Sequence, residues 1–354
     1  MSFMRYSLIA VLSALGLYAI LIFATSLLFS ELKLSRQLDT GSLMSDAFFG
    51  TAGDAAAVYN RSALSIIRPH VILVGASNLE KVRANEIDVP GFAAANISVA
   101  GSGLAEFGRL VELAYEAVSP VTRGRNIFVL GVWYGEFCDV HGPVQQSLDQ
   151  QLTGYGLYRV GPDNSVVRTI PSSLLTPTLA AIRPLLLAQR LWGSLRDAGK
   201  SLARFAISGD AGAVTVDQLV QNNVTVDVAG RQKLIEERKA ACTKIDPATF
   251  VMLDQIVDRI TRNGDRVIIA DLPIPQWHAD GVPASAAYQR AKVQGFSSAL
   301  RHEGASYLDL QSSLGEDDFW DSVHPKPAAA VKLSRVIGEA SIERMSSKRT
   351  LASP

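Results

Sequence analysis

An excess of charge of either sign is missing from this chain: 34 Lys and Arg balance 34 Asp and Glu, and no basic run stands out. A nucleic-acid partner, which would leave a basic footprint, is therefore not indicated. Cysteine is almost absent, with only Cys138 and Cys242, far apart and without CxxC spacing. They can form one disulfide in an oxidising compartment or remain two buried thiols, and the sequence leaves both open. The five histidines show no HExxH or other ligand spacing, so neither a metal nor another cofactor is expected. Aromatic residues make up only 7%, but hydrophobic residues reach 48%, which excludes disorder and suits an α/β globule. A chain of 354 residues has room for one large domain or two small ones.

One uncharged run is long. Residues 6–30, "YSLIAVLSALGLYAILIFATSLLFS", lie between Arg5 and Glu31. A bilayer-spanning helix takes about 20 apolar residues, whereas the apolar core of a cleaved signal peptide runs to about 7–15 and ends in a small-x-small site. The run is read as an uncleaved anchor over residues 1–30 that enters the lipid bilayer through residues 6–30, followed by a polar linker over 31–65. Arg5 on one flank faces Lys33 and Arg36 on the other, so flanking charge does not set the orientation.

Beyond the linker, short apolar runs alternate with amphipathic stretches. "HVILVGASN", "FAAANISVAGSG", "NIFVLGVWYGEF", "DRVIIADLPIP" and "ASYLDL" read as strands that end in turns. "LAEFGRLVELAYEAV", "PATFVMLDQIVDRITRNG", "AAYQRAKVQGFSSALRHEG" and the segment after His324 read as helices. This rhythm predicts an α/β fold: three layers, α/β/α, around a parallel sheet, spanning residues 66–345 with a tail at 346–354. Chemistry in such sheets gathers beyond the carboxyl ends of the strands, where Ser77, Ser98, Trp133, Asp271 and the Asp321 loop fall. Residues 141–248 break the rhythm with a Leu-rich, basic stretch. They are read as an inserted helical region, either a cap, a surface for membrane or partner, or a plain core helix pair.

Two motifs carry chemistry. In "VILVGASNLE", Ser77 follows the first strand through Gly75 and precedes a helical turn, a setting that offers main-chain donors to a developing oxyanion. In "DFWDSVHPKP", Asp321 stands three residues before His324, and Pro327 suits the first turn of the helix that follows. Asp321 can fix the tautomer of the imidazole, as a general base requires.

Together these motifs resemble the SGNH (GDSL-like) hydrolase superfamily, which has a flavodoxin-like fold. The resemblance implies Ser77 as nucleophile ("GASN"), with His324 as base and Asp321 as its orienting partner ("DSVH"). The second family block, N-x-G-x-x-G, corresponds to Asn96-Ile97-Ser98-Val99-Ala100-Gly101, with Ser98 in place of a glycine whose N–H serves the oxyanion hole. The third block would end in Asn but reads Gly131-Val132-Trp133, so a side-chain donor is missing; Asn78, the Ser77 turn or the insertion are expected substitutes. Gly101 and Trp133 are counted with Ser98 and Asn78 as oxyanion or substrate residues. With its anchor, the chain is most similar to the DltD-like, AlgJ-like and PatB-like partners of MBOAT acyltransferases. That resemblance implies a periplasmic domain on the inner membrane and an acyl group, acetyl by expectation, passed to a polysaccharide or cell-wall polymer or to water. It also leaves open a catalytically inactive scaffold that binds polymer or docks an MBOAT enzyme.

The remaining polar residues are read more plainly. Asp271 is expected to cap a loop or line the pocket, and His278 to sit in a surface loop. Glu136 and Asp139 are expected to touch substrate or be solvated. His70 and His302 are expected to be structural.

Overall fold

The computed structural model describes residues 11–20, 64, 66–139, 158–160, 166–168 and 227–346. Within the α/β domain the strands are β1 (His70–Gly75), β2 (Ala93–Asn96), β3 (Ile127–Val132), β4 (Tyr158–Val160), β5 (Val166–Arg168), β6 (Arg266–Asp271) and β7 (Ala305–Asp309). The helices are α1 (Ser77–Glu80), α2 (Leu104–Ala117), α3 (Val228–Ala241), α4 (Pro247–Arg262), α5 (Gln276–Gly281), α6 (Pro283–Gly295) and α7 (Pro327–Ser346).

Five strands form one sheet in the order β2-β1-β3-β6-β7, every neighbouring pair parallel. With the separate β4–β5 pair set aside, the order counted along the chain is 2-1-3-4-5, the parallel α/β sheet that the sequence rhythm predicts. The central strands β1 and β3 are buried at every position, which explains why "HVILVG" and "IFVLGV" are continuous apolar runs rather than alternating ones. Helix α4 buries Phe250, Leu253, Ile256, Val257 and Ile260, a stripe at helical spacing. Asp246 accepts from the Ala248 N–H at its start and Pro247 occupies its first turn, so the boundary expected at "DPATF" follows from capping chemistry.

One close approach shapes the site. Gly75 and Gly131 are register partners on β1 and β3. A Cβ on Gly75 would lie 2.8 Å from Leu79, and one on Gly131 would lie 2.7 Å from it. The glycine pair therefore opens a slot into which α1 drops, with Leu79 seated on the sheet and Ser77 at the strand ends.

The described residues on either side of the expected insertion meet at one point. Cys138, just past β3, forms a disulfide with Cys242, just past α3. Asp139 accepts from the Thr243 hydroxyl and from the Thr243 and Lys244 N–H groups, and Asp246 N–H donates to the Phe137 carbonyl. Of the two states the sequence allowed for the cysteines, the disulfide is the one present. Residues 11–20 are helical, and among the described residues no helix is long and apolar enough to cross a membrane. The rest of the expected anchor, nearly all of the linker, the Leu-rich stretch of the insertion and the tail lie outside the described residues.

Candidate active site

Ser77 is the first residue of α1 and is half-buried. Its Oγ lies 2.8 Å from His324 Nε2, and His324 Nδ1 lies 2.6 Å from Asp321 Oδ2. The two motifs, 247 residues apart, thus meet in one hydrogen-bonded chain. An ionised carboxylate can only accept, so the proton of the neutral ring sits on Nδ1 and Nε2 is left to accept from the Ser77 hydroxyl. Asp321 is held by its own loop, its Oδ1 accepting from the N–H groups of Val323 and His324 at 2.9 Å each. Burial works against the charge of Asp321, but the His324 ring and these two N–H groups outweigh it and hold its carboxyl below the usual carboxylate range.

The loop carrying the pair is clasped at both ends. Trp320 N–H donates to the His324 carbonyl and Lys326 N–H to the Asp318 carbonyl. Pro327 then begins α7, and Ser334 on that helix accepts from the Arg83 N–H, tying α7 to the segment that leaves α1. His324 and Ser77 are therefore fixed by one connected set of contacts.

Asn96 closes the other side. Its Nδ2 donates to the carbonyls of Leu79 and Val82 at 2.8 Å, capping the chain as it leaves α1. Its Oδ1 accepts from the Ser98 N–H at 3.0 Å. This last bond corrects one expectation: the Ser98 main-chain donor is already committed to Asn96 and is not free for an oxyanion. The physical reason is strand direction. Ile97 and Val99 N–H groups donate to Leu73 and Gly75 on β1, so the alternate N–H, that of Ser98, points to the outer edge of the sheet.

Asn78 and Trp133 stand in different surroundings. The Asn78 side chain is buried at a small space lined also by Leu272, Pro273, Val323, Pro325 and Leu333, with its Oδ1 accepting from Leu79 N–H and its Nδ2 without a partner among the described residues. Trp133 stands two residues beyond Gly131, the register partner of Gly75, and its ring folds back over Gly135, where a Cβ would lie 2.3 Å from the indole. Its own N–H donates to Glu136 Oε2. By contrast, Gly101 stands beyond β2 with φ 76°, and the N–H groups of Ser77 and Gly101 make no hydrogen bond among the described residues.

A second cluster borders the Ser77–His324–Asp321 chain, with little in the sequence to announce it. His278 was expected in a surface loop but is fully buried in α5, hydrogen-bonded through Nε2 to the Tyr134 hydroxyl. Burial and the nearby Arg238 push its imidazole down to about 4, against the pull of Asp321. Glu136 is buried rather than solvated, and burial pushes its carboxyl up to about 8 against the Trp133 N–H and Arg238. Burial likewise raises the Tyr134 hydroxyl. Asp139 is half-buried in the bend after Cys138 and accepts from Thr243 and Lys244.

Asp271, the last residue of β6, was expected to cap a loop or line the pocket but is the centre of a buried polar cluster. It is fully buried and accepts from Lys292 Nζ at 2.7 Å and from the hydroxyls of Tyr288 and Tyr307 at 3.0 and 2.9 Å. The structural reading of the other two histidines agrees with the contacts: His70 is buried within β1, and His302 bonds Asp254. Neither the protein-family models nor the curated proteins give a match to this chain.

Proposed function

We propose that this chain is an SGNH-type acyl-transfer enzyme, with a three-layer α/β/α domain, that works through an acyl-Ser77 intermediate. The observation that supports the reading is the continuous chain of hydrogen bonds Ser77–His324–Asp321. The Ser77 Oγ attacks the carbonyl carbon of an acyl donor while His324 Nε2 takes its proton, and Asp321 stabilises the imidazolium that forms. The oxyanion is met by main-chain N–H groups of Ser77 and Gly101. Collapse expels the donor's leaving group, which takes the proton from Nε2. A second hydroxyl then attacks the acyl-serine by the same route in reverse, releasing Ser77.

The apolar run of residues 6–30 supports a membrane-anchored protein, and the disulfide supports an oxidising, extracytoplasmic location. The acceptor in this reading is a hydroxyl of an extracytoplasmic polysaccharide or envelope polymer, with water as the hydrolytic alternative, acetyl as the acyl group, and an MBOAT-type enzyme as partner. A chromogenic acetyl ester tests the chemistry. The reading expects a mass increase of one acetyl group on the Ser77 peptide, absent in Ser77→Ala; turnover without that adduct contradicts it.

A second reading is favoured by the missing donors. Trp133 supplies no side-chain donor to Ser77, and the Ser98 N–H is committed to Asn96. Loss of one oxyanion donor can cost about 2.7–4 kcal/mol of transition-state stabilisation. A scaffold that docks an MBOAT enzyme would tolerate Ser77→Ala in cells but not loss of the insertion.

A further inference from the structure

The edge of the sheet opposite Ser77 carries a cleft that the proposed reaction does not use. Helices α2 and α4 return from the carboxyl edge, so their last turns end at the amino edge. Strands β3 and β6 are six residues long, which at about 3.3 Å per residue sets the two edges about 20 Å apart. Between the two helix ends lies a cleft of about 180 Å³, lined by Glu112, Tyr115, Glu116, Arg123, Arg259 and Asn263.

Next to Tyr115, a buried carboxylate lacks a donor. Asp265 is 2% exposed, and its Oδ1 accepts from the Asn126 N–H and Nδ2 at 2.8 and 3.1 Å. Its Oδ2 has no hydrogen-bond partner among the described residues, an uncommon state for a buried oxygen. The neighbouring Tyr115 hydroxyl donates to the Ile260 carbonyl across 3.4 Å, beyond the usual range of such a bond. One phenolic proton therefore serves two acceptors. The Ile260 carbonyl already takes the Asn263 N–H at 3.1 Å, so it loses little when the phenol turns to Asp265. A donor arriving in the cleft can then be accepted by the phenol oxygen.

The lining narrows the chemistry of the occupant. Two carboxylates balance two guanidiniums, and Arg259 holds Glu112 through paired hydrogen bonds at 2.8 and 3.1 Å. The helix C-termini carry partial negative charge and disfavour an anion. Arg123, which donates to the Tyr115 carbonyl, disfavours a cation. No aliphatic side chain lines the cleft, so an acyl chain finds no wall to bury against. Carboxylate, guanidinium, amide and phenol set acceptors and donors side by side, the complement of neighbouring hydroxyls. The volume falls below the roughly 300–1,000 Å³ of sites for drug-sized ligands, as a single ring requires.

We propose that this cleft binds one neutral sugar ring, at the edge of the domain far from Ser77. The inference does not rest on the acyl-transfer reading, since none of its residues belongs to the Ser77–His324–Asp321 chain.

The test is saturation-transfer NMR on the full chain, in micelles of a detergent without a sugar head group. The probes are glucose, galactose, mannose and N-acetylglucosamine, each alone and as a linear tetrasaccharide. Citrate, putrescine and glycine serve as ionic rivals. The expected result is transfer to at least one neutral sugar, with a Kd in the millimolar range, and weaker transfer to every rival. A tetrasaccharide bound at least about tenfold tighter than its single ring identifies a glycan chain as the source, and equal affinity a free sugar. Arg123→Ala and Asn263→Ala, both at exposed positions, should each weaken binding about two- to tenfold, and Tyr115→Phe by a similar factor. Ser77→Ala should stay within about twofold, which separates the cleft from any sugar held beside the serine. Melting curves of each variant exclude unfolding, and the preference of the unmodified chain for neutral sugars needs no variant. No transfer to any sugar, preference for an ionic rival, or full affinity in Arg123→Ala and Asn263→Ala alike overturns the proposal. So does a loss confined to Ser77→Ala.

Discussion

Asp321 and Asp271 are both carboxylates at the carboxyl edge of the sheet, and both bind a basic side chain at short range. Their surroundings separate them. Asp271 is fully buried and receives Lys292, Tyr288 and Tyr307, and Lys292 also donates to the Tyr307 hydroxyl, so these hydrogen bonds stay within the set. Burial pushes its carboxyl up, opposed by Lys292 and the two hydroxyls. Asp321 is about a third exposed, and its partner His324 passes the hydrogen bond on to Ser77. A carboxylate whose hydrogen bonds stay within such a set braces a fold. One whose partner has a second nitrogen facing a hydroxyl can organise proton transfer.

The sharpest way to break this contrast is to remove one member of each set. Ser77→Ala and His324→Ala should each lower turnover of an activated ester by roughly 10³–10⁶-fold. The melting temperature should move by only a degree or two, since neither side chain is deeply buried. Lys292→Met should do the opposite. It strands the buried Asp271 charge and should cost about 3–5 kcal/mol in urea unfolding, with activity per folded molecule within a few-fold. If Lys292→Met abolishes activity without destabilising, Asp271 belongs to the site after all.

The disulfide joins the two regions, because it holds α3 beside Trp133. Its ends are 104 residues apart, so a double Cys138→Ser, Cys242→Ser variant should lose about 2–4 kcal/mol of stability. Urea titration with and without reductant measures this, and the variant should show no further response to reductant.

A smaller effect sharpens the picture of the cluster beside the triad. Between its ordinary value of 4.5 and about 8, Glu136 is protonated in the folded chain and ionised in the unfolded one. Stability therefore falls as pH rises through that window, by up to about 2–3 kcal/mol between pH 6 and 8. His278, lowered to about 4 from 6.5, has the reverse slope, losing stability as pH falls, but only below 6.5. Thermal melts of Glu136→Gln from pH 6.5 to 8 should be flatter than those of the unmodified chain. Parallel curves contradict a protonated Glu136.

Strand and helix positions were legible because the central strands are buried on both faces and the helices carry caps and apolar stripes that short windows of sequence display. The Ser77–His324–Asp321 contact was legible for a different reason: Ser77 and the Asp321–His324 pair each lie in a local motif that marks them before the contact is known. The Trp133–Tyr134–Glu136–His278–Arg238 cluster was not, since it is assembled from β3, α5 and the end of the insertion, with no spacing to announce it. His278 read as a surface residue because "PIPQWHAD" is rich in turn formers, while tertiary packing of α5 against α3 buries it. The Ser98 donor was misread because motif order does not say which way an edge-strand N–H points. Asp271 was misread for lack of Lys292, which lies on α6, the second helix after β6. The cysteine pairing needed the two ends of the insertion to be brought together.

The central claim is that Ser77 is an activated nucleophile, and labelling of the full chain with a fluorophosphonate probe tests it most directly. The account predicts covalent labelling at Ser77 that disappears in Ser77→Ala and in His324→Ala. A folded chain that is not labelled, or one labelled equally well in His324→Ala, would contradict it.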